Sequence, residues 1–268
     1  MKIYSVSINK TIFLLILFFY ITAFSQEILN VHVTEWPPIY YQDKAGHWTG
    51  LDVELFKAII KKAGLKQIFK NQPWIRGLKE LESGSIHVVL NMNRTKERSV
   101  YTNWIGPIRK DDIICIIVKK KNRSMPVDSL DDLVKVSKKY NKKFGFQRGV
   151  FYSKEFNERI KNDSEFLEHF AVVADTNINF KLTLYNRILG CFESPLRLGH
   201  LIKNDPKFKN LSTLPFRFKK GDEVDDIYYG VSKKSVNKDI LKKIQEAYSK
   251  CKKDGTIKRI IRKWNKKF

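Results

Sequence analysis

The sequence predicts an α/β protein made of two successive sheet units, and three observations carry that expectation. Strand and helix patterns alternate from residue 28 to residue 90, which calls for parallel strands with right-handed crossovers. The same order recurs from residue 112 to residue 192. The strand at 86–90 is apolar on both faces apart from His87, as in the middle of a parallel sheet, and turns polar at Asn91, Asn93, Arg94 and Thr95. In open α/β sheets ligands sit at that C-terminal edge.

Taken in order, residues 28–34 (ILNVHVT) alternate like a strand, and Pro37 and Pro38 forbid its continuation. Residues 51–63 carry Leu55, Phe56, Ile59, Ile60 and Ala63 on one face; Asp52 opens this helix and Gly64 closes it. A short strand at 66–70 and a short helix at 75–82, stopped by Gly84, lead into the strand at 86–90. The second unit begins with the β-branched run DIICIIVK at 112–119. A helix at 129–140, a strand at 144–147, a turn at Gly149 and a helix at 153–162 follow. Then come a strand at 171–174, a helix at 178–186 and a strand at 188–192. Residues 227–232 (IYYGVS) form a last strand, and helices at 239–251 and 256–264 are separated by Asp254-Gly255.

The N-terminus reads as a secretory signal: Lys2 and Lys10, an apolar run from 11 to 24, and small residues Ala23 and Ser25 before a cut at Gln26. The run is shorter than the roughly 20 residues a spanning helix needs. Export is therefore expected, with residues 1–25 removed. The formal charge of +23 allows nucleic acid, an anionic surface or an acidic ligand as partner. Because the lysines are spread over the whole chain and do not mark one groove, a nucleic-acid partner is not expected. The 3 cysteines, Cys115, Cys191 and Cys251, leave at least one free thiol and have no zinc spacing; one disulfide or only buried thiols both fit. No nucleophile elbow, zinc-protease helix or P-loop is present, and His32, His47, His87, His169 and His200 are scattered, so neither metal nor cofactor is expected.

The order of motifs resembles the bacterial extracellular solute-binding proteins of family 3, periplasmic receptors of amino-acid ABC importers. The resemblance rests on T-E-W-P-P after the first strand, G-L-D-V-E-L opening the first helix, P-W-x-R followed by L-x-x-G, and R-T-K-E-R followed by G-P-I. Y-Y-G-V-S-K-K, I-Q-E-A-Y, K-D-G-T and a final W complete it. It implies a two-lobed periplasmic binding fold of type II: two parallel-rich sheets joined by two crossing strands, with 26–110 and 228–268 in lobe 1 and 111–227 in lobe 2. A monomer that closes around an amino acid or related small carboxylate, and meets an inner-membrane permease, is the implied function.

Carried over by position, Arg98 is the residue implied to fork onto a ligand carboxylate, a task suited to a planar, always-charged guanidinium. Asn91 and Asn93 take the strand-end positions beside the ligand, while Glu35 and Glu193 match acids near its ammonium group. Trp36, Tyr40 and Trp74 are candidate walls. Arg148 stands in the loop that ordinarily carries a small hydroxyl residue, with Val150 or Phe151 after it, which points toward a larger or more anionic ligand. The same scaffold also serves cyclohexadienyl dehydratases, for which Glu193 would be the general acid, and sensors that present ligand to a membrane signalling protein.

Overall fold

The computed structural model describes residues 27–110, 114–218 and 226–265. The expected export signal lies outside them. The first sheet is formed by β1 (Ile28–Val33), β4 (Lys66–Asn71), β5 (Val88–Met92), β6 (Thr102–Lys110) and β12 (Asp226–Ser232), in the order β4-β1-β5-β12-β6. The second contains β7 (Cys115–Lys119), β8 (Phe144–Gln147), β9 (Phe170–Val173), β10 (Gly190–Glu193) and β11 (Leu211–Arg217), in the order β11-β7-β10-β8-β9. A short hairpin, β2 (Tyr41–Gln42) with β3 (Trp48–Thr49), follows the first strand.

Each sheet is parallel at one side only. In the first, β1 runs parallel to β4 and β5, whereas β12 is antiparallel to both β5 and β6. In the second, β8 runs parallel to β9 and β10, and β7 is antiparallel to β10 and β11. The crossover pattern in the sequence accounts for the parallel halves. The antiparallel halves come from β6, β7, β11 and β12, of which the pattern marks β7 and β12. Pro107 sits in β6 and Pro215 in β11, both edge strands, where a missing N–H is tolerated and β-patterning is easily overlooked.

Helix α1 (Leu51–Ala63) is capped by Gly64 in the left-handed region (φ 70°), whose N–H reaches the Ile60 and Lys61 carbonyls. Together with α9 (Lys238–Lys253) and α10 (Thr256–Asn265) it covers the first sheet over an aliphatic core that includes Leu55, Ile59, Ile60, Ile244 and Ala247. The other face of this sheet carries α2 (Trp74–Ser83) against Val89 and Met92, and α3 (Lys96–Tyr101) follows β5. Around the second sheet lie α4 (Leu130–Tyr140), α5 (Lys154–Asn162), α6 (Ser164–Leu167), α7 (Thr176–Leu184) and α8 (Pro195–Asn204). Its core is aromatic: the Phe156 ring meets Phe146, Tyr152, Phe166, Phe170, Phe192 and Phe218 within 6 Å.

Two of the parallel strands lie further along the chain than their apolar runs suggest. The run at 86–90 starts as a return from α2, with the Ile86 N–H on the Glu80 carbonyl, so β5 extends to Asn91 and Met92. Ile188 likewise donates back to Leu182 at the end of α7, and β10 therefore includes Glu193, paired with Cys115. Helix α7 begins at Thr176, ahead of the expected 178, because the Asp175 carboxylate caps the Asn177 N–H at 2.7 Å. All three cysteines are free and buried. Burial pushes the Cys115 and Cys191 thiols up to about 12, so they behave as small apolar core groups.

Candidate functional site

Between the two sheets lies a cleft of about 380 Å³, within the range of small-molecule sites. Every parallel strand of the first sheet delivers residues to it from its C-terminal end: Glu35 and Trp36 after β1, Gln72 and Trp74 after β4, Asn91 and Asn93 on and after β5. The second sheet does the same: Gln147 at the end of β8, Asp175 after β9, Glu193 at the end of β10. Helix α3 adds Arg98.

Arg98 is buried to 8% exposure. The Thr95 hydroxyl accepts from its backbone N–H, which fixes the helix start, and its Nη1 donates to the Asn93 carbonyl at 3.0 Å. Its Nη2 donates across the cleft to the Gly149 carbonyl at 2.9 Å, and Trp74 Nε1 donates to the same oxygen at 3.0 Å. Burial lowers the guanidinium below its ordinary value, and no carboxylate is paired with it among the described residues. Two of its N–H groups are spent on carbonyls, and the guanidinium keeps further donors at the cleft wall. Trp74 is backed by the His32 ring, edge-on at 5.8 Å.

Asn91 has φ 57°, a left-handed position asparagine tolerates, and its Oδ1 accepts from Arg109 Nη2 at 2.8 Å. Arg109 is in turn forked onto Asp52 at 3.1 and 3.2 Å, with Asp52 fully buried. Asp52 therefore holds the strand end in place through Arg109; the helix cap itself is Gly50, without a side-chain bond. Tyr40, buried at 3% exposure and tilted against Trp36 at 5.7 Å, forms the floor beside them.

The negative charge is grouped elsewhere. Glu35 Oε1 accepts from the Gln42 N–H at 3.1 Å, and its carboxyl is raised above the ordinary value, first by burial and then by the nearby charge of Asp175, with the Gln42 bond opposing. Neither Glu35 nor Asp175 has a lysine or arginine at salt-bridge distance among the described residues. Glu193 is different. Its Oε2 is bonded to Arg197 Nη1, its Oε1 accepts from the Ser194 N–H at 3.0 Å, and Trp36 Nε1 approaches Oε2 at 3.4 Å.

Of the residues singled out in the sequence, Arg98, Asn91, Asn93, Glu35, Trp36, Tyr40, Trp74 and Glu193 are brought together in the cleft. Arg148 is not: its side chain is exposed and does not line the cleft, because its N–H is held to the Val173 carbonyl and Gly149 turns the chain there (φ 77°). The loop reaches the cleft through Val150 and Phe151 instead. Asp175, Gln72, Gln147 and Arg197 were not anticipated. Asp175 had a readable signal, an acid directly after a strand and before a helix, the same edge position that pointed to Glu193.

The chain matches known proteins over most of its length. The family model for bacterial extracellular solute-binding proteins, family 3, matches residues 29–267. A protein described as "Putative ABC transporter arginine-binding protein 2" of Escherichia coli (strain K12) is 27% identical over 239 residues, 87% of this chain and 88% of that protein. An ancestral arginine-binding protein bound to arginine superposes with a TM-score of 0.72 at 27% identity, covering 90% of this chain and 99% of the other. The fold alone is shared with an ancestral amino-acid-binding protein described as a precursor of cyclohexadienyl dehydratase, at TM-score 0.68 and 23% identity, over 88% of this chain and 95% of that one. With two sheets facing across a cleft and a family match over nearly the whole length, the chain belongs to the bacterial extracellular solute-binding proteins, family 3.

Proposed function

We propose that this protein is a periplasmic receptor for an amino acid with a cationic side chain, which it encloses and hands to an inner-membrane ABC permease as a monomer. The observation that carries the ligand class is the division of charge in the cleft. Arg98 stands without a carboxylate at one wall, and Glu35 and Asp175 stand without a cation at another. With Glu193 already neutralised by Arg197, the groups left for a ligand are one cation and two carboxylates. A zwitterion with a second positive group complements that set, whereas an acidic ligand would add charge to the Glu35–Asp175 side. The lobes of this receptor are residues 26–110 with 228–268, and residues 111–227, which is consistent with the membership of the two sheets. Family membership and the signal-like N-terminus support export.

No chemical step is assigned. Glu193, the acid a dehydratase-type reaction would use, is tied to Arg197 and to the Ser194 N–H. Turnover of prephenate or arogenate by the purified protein would overturn this part of the reading.

The test is calorimetry and thermal unfolding of chain refolded from denaturant, titrated with arginine, lysine, citrulline, glutamine and glutamate. A ligand at 100 times its dissociation constant adds about 2.7 kcal/mol, enough to move the midpoint by several degrees. Arginine or lysine is expected to exceed the isosteric but neutral citrulline, with the difference lost in Glu35→Gln. Preference for glutamate or for neutral ligands would refute the cationic assignment. No response to any of the five would refute the amino-acid receptor.

A further inference from the structure

Behind the cleft, at the seam between the lobes, lies a buried charge that makes no ligand contact. Arg197, on α8, is fully buried and does not line the cleft. Three groups of its own lobe fix its fork: Nη1 bonds Glu193 Oε2 and Thr176 Oγ1, and Nη2 donates to Asn177 Oδ1 at 2.7 Å. Nε crosses to the other lobe and reaches the Pro37 carbonyl at 3.2 Å. The Trp36 ring, also from the first lobe, sits over the guanidinium at 5.1 Å.

Asn177 extends the same arrangement. With Oδ1 held by Arg197, its amide is turned so that Nδ2 donates to the Glu35 carbonyl at 2.8 Å, again across the lobes. Arg197 therefore governs two hydrogen bonds to the 35–37 turn, one directly and one by orienting a neighbour. Both are made behind the ligand space, and separation of the lobes would break both and expose the guanidinium's first-lobe side.

We propose that Arg197 is a positioning residue that sets the closing equilibrium of the cleft, seating the Trp36-Pro37 turn on the second lobe without touching ligand. This rests on the reading of the chain as a closing receptor, but not on which ligand it takes. Affinity scales with the fraction of molecules able to adopt the closed form. A change at Arg197 thus weakens every ligand by one common factor, whereas a change at a ligand-contacting residue discriminates among ligands.

Arg197→Lys keeps a cation beside Glu193 and removes the fork; Asn177→Ala removes the second crossing bond and the acceptor of Arg197 Nη2 but leaves the bond to Pro37, and tests the idea if the first variant does not fold. Loss of a charge-assisted hydrogen bond shifts the closing equilibrium by about tenfold to a hundredfold. Two measurements are made on refolded full-length mature protein: the radius of gyration by small-angle X-ray scattering without ligand, and the dissociation constants of arginine, lysine and glutamine. The expected result is a larger ligand-free radius in both variants, with affinities reduced by the same factor for all three ligands. A common factor with an unchanged radius also supports the proposal, since closure is then driven by ligand but still limited by Arg197. Factors that differ between ligands, or an unchanged radius together with unchanged affinities, overturn it. If the parent protein binds none of the three, the cationic-ligand reading fails, and the radius then decides the role of Arg197: a larger one in both variants supports it and an unchanged one overturns it.

Discussion

His32 offers a direct measure of how tightly the first sheet is packed behind the cleft. Its imidazole is buried at 1% exposure on β1, with Nε2 at 2.9 Å from the Gln72 carbonyl and Trp74 edge-on to its ring. Burial lowers its pKa from 6.5 to about 4, only partly offset by the carbonyls of Gln72 and Pro73. In the unfolded chain the imidazole takes up its proton near pH 6.5, and in the folded protein it does so only near pH 4. The stability tied to the neutral ring is therefore complete above pH 6.5 and is lost as the pH falls through the interval between the two values. At about 1.4 kcal/mol for each tenfold difference in proton affinity, the loss amounts to about 3 kcal/mol by pH 4. The assay is urea unfolding at several pH values for the parent and for His32→Gln, which keeps an N–H donor for Gln72 and does not titrate. Subtracting one profile from the other removes the other histidines and the carboxylates. The difference should be flat above pH 7 and shift by about 3 kcal/mol in the variant's favour toward pH 4. Parallel profiles would mean that His32 is accessible to protons in the folded protein, and that the β1 packing described above is wrong.

Three further outcomes are expected. Arg98→Ala should weaken a carboxylate-bearing ligand by about 3 kcal/mol in calorimetry, and unchanged affinity would remove Arg98 from the site. Asp52→Asn removes the carboxylate on which the buried Arg109 guanidinium is forked and should cost about 3–5 kcal/mol in urea unfolding, together with loosened ligand binding through Asn91; a loss below 1 kcal/mol would show that the pair is dispensable. Phe156→Ala, at the centre of the second lobe's aromatic core, should cost about 3–5 kcal/mol without altering the ligand preference of any protein that remains folded.

The parts of this fold legible in the sequence are those governed by one chain segment at a time. Periodicity and caps place α1, α2, α4, α5, α9 and α10 to within a residue or two, and strand-end position brings Arg98, Glu35, Glu193 and their neighbours to one cleft. Pairing between segments is what was hidden. Nothing local reveals that Asp52 meets Arg109, 57 residues later, or that Glu193 is neutralised one helical turn on by Arg197. The sequence spacing of the second pair, i to i+4, is readable in principle, but no helix is expected over 195–204, although Ser194 at the cap and Pro195 at the first helical position are start signals for α8. Arg148 illustrates the opposite failure. Its position along the chain was right, and a backbone bond turned its side chain away.

At Gly149 the second lobe's main chain meets side chains of the first directly: its carbonyl receives both Trp74 and Arg98, and a methyl group there would lie 2.3 Å from Ile75 Cδ1, the tip of a side chain that can turn aside. The seam is thus built around a missing side chain. A single added carbon would have to push aside the tip of Ile75 while leaving each half's interior intact. The glycine's φ of 77° adds roughly 1 kcal/mol of local strain to that substitution. Gly149→Ala is accordingly a tool as much as a lesion. It perturbs the contact of the second lobe's main chain with Trp74, Ile75 and Arg98 without adding or removing a charge.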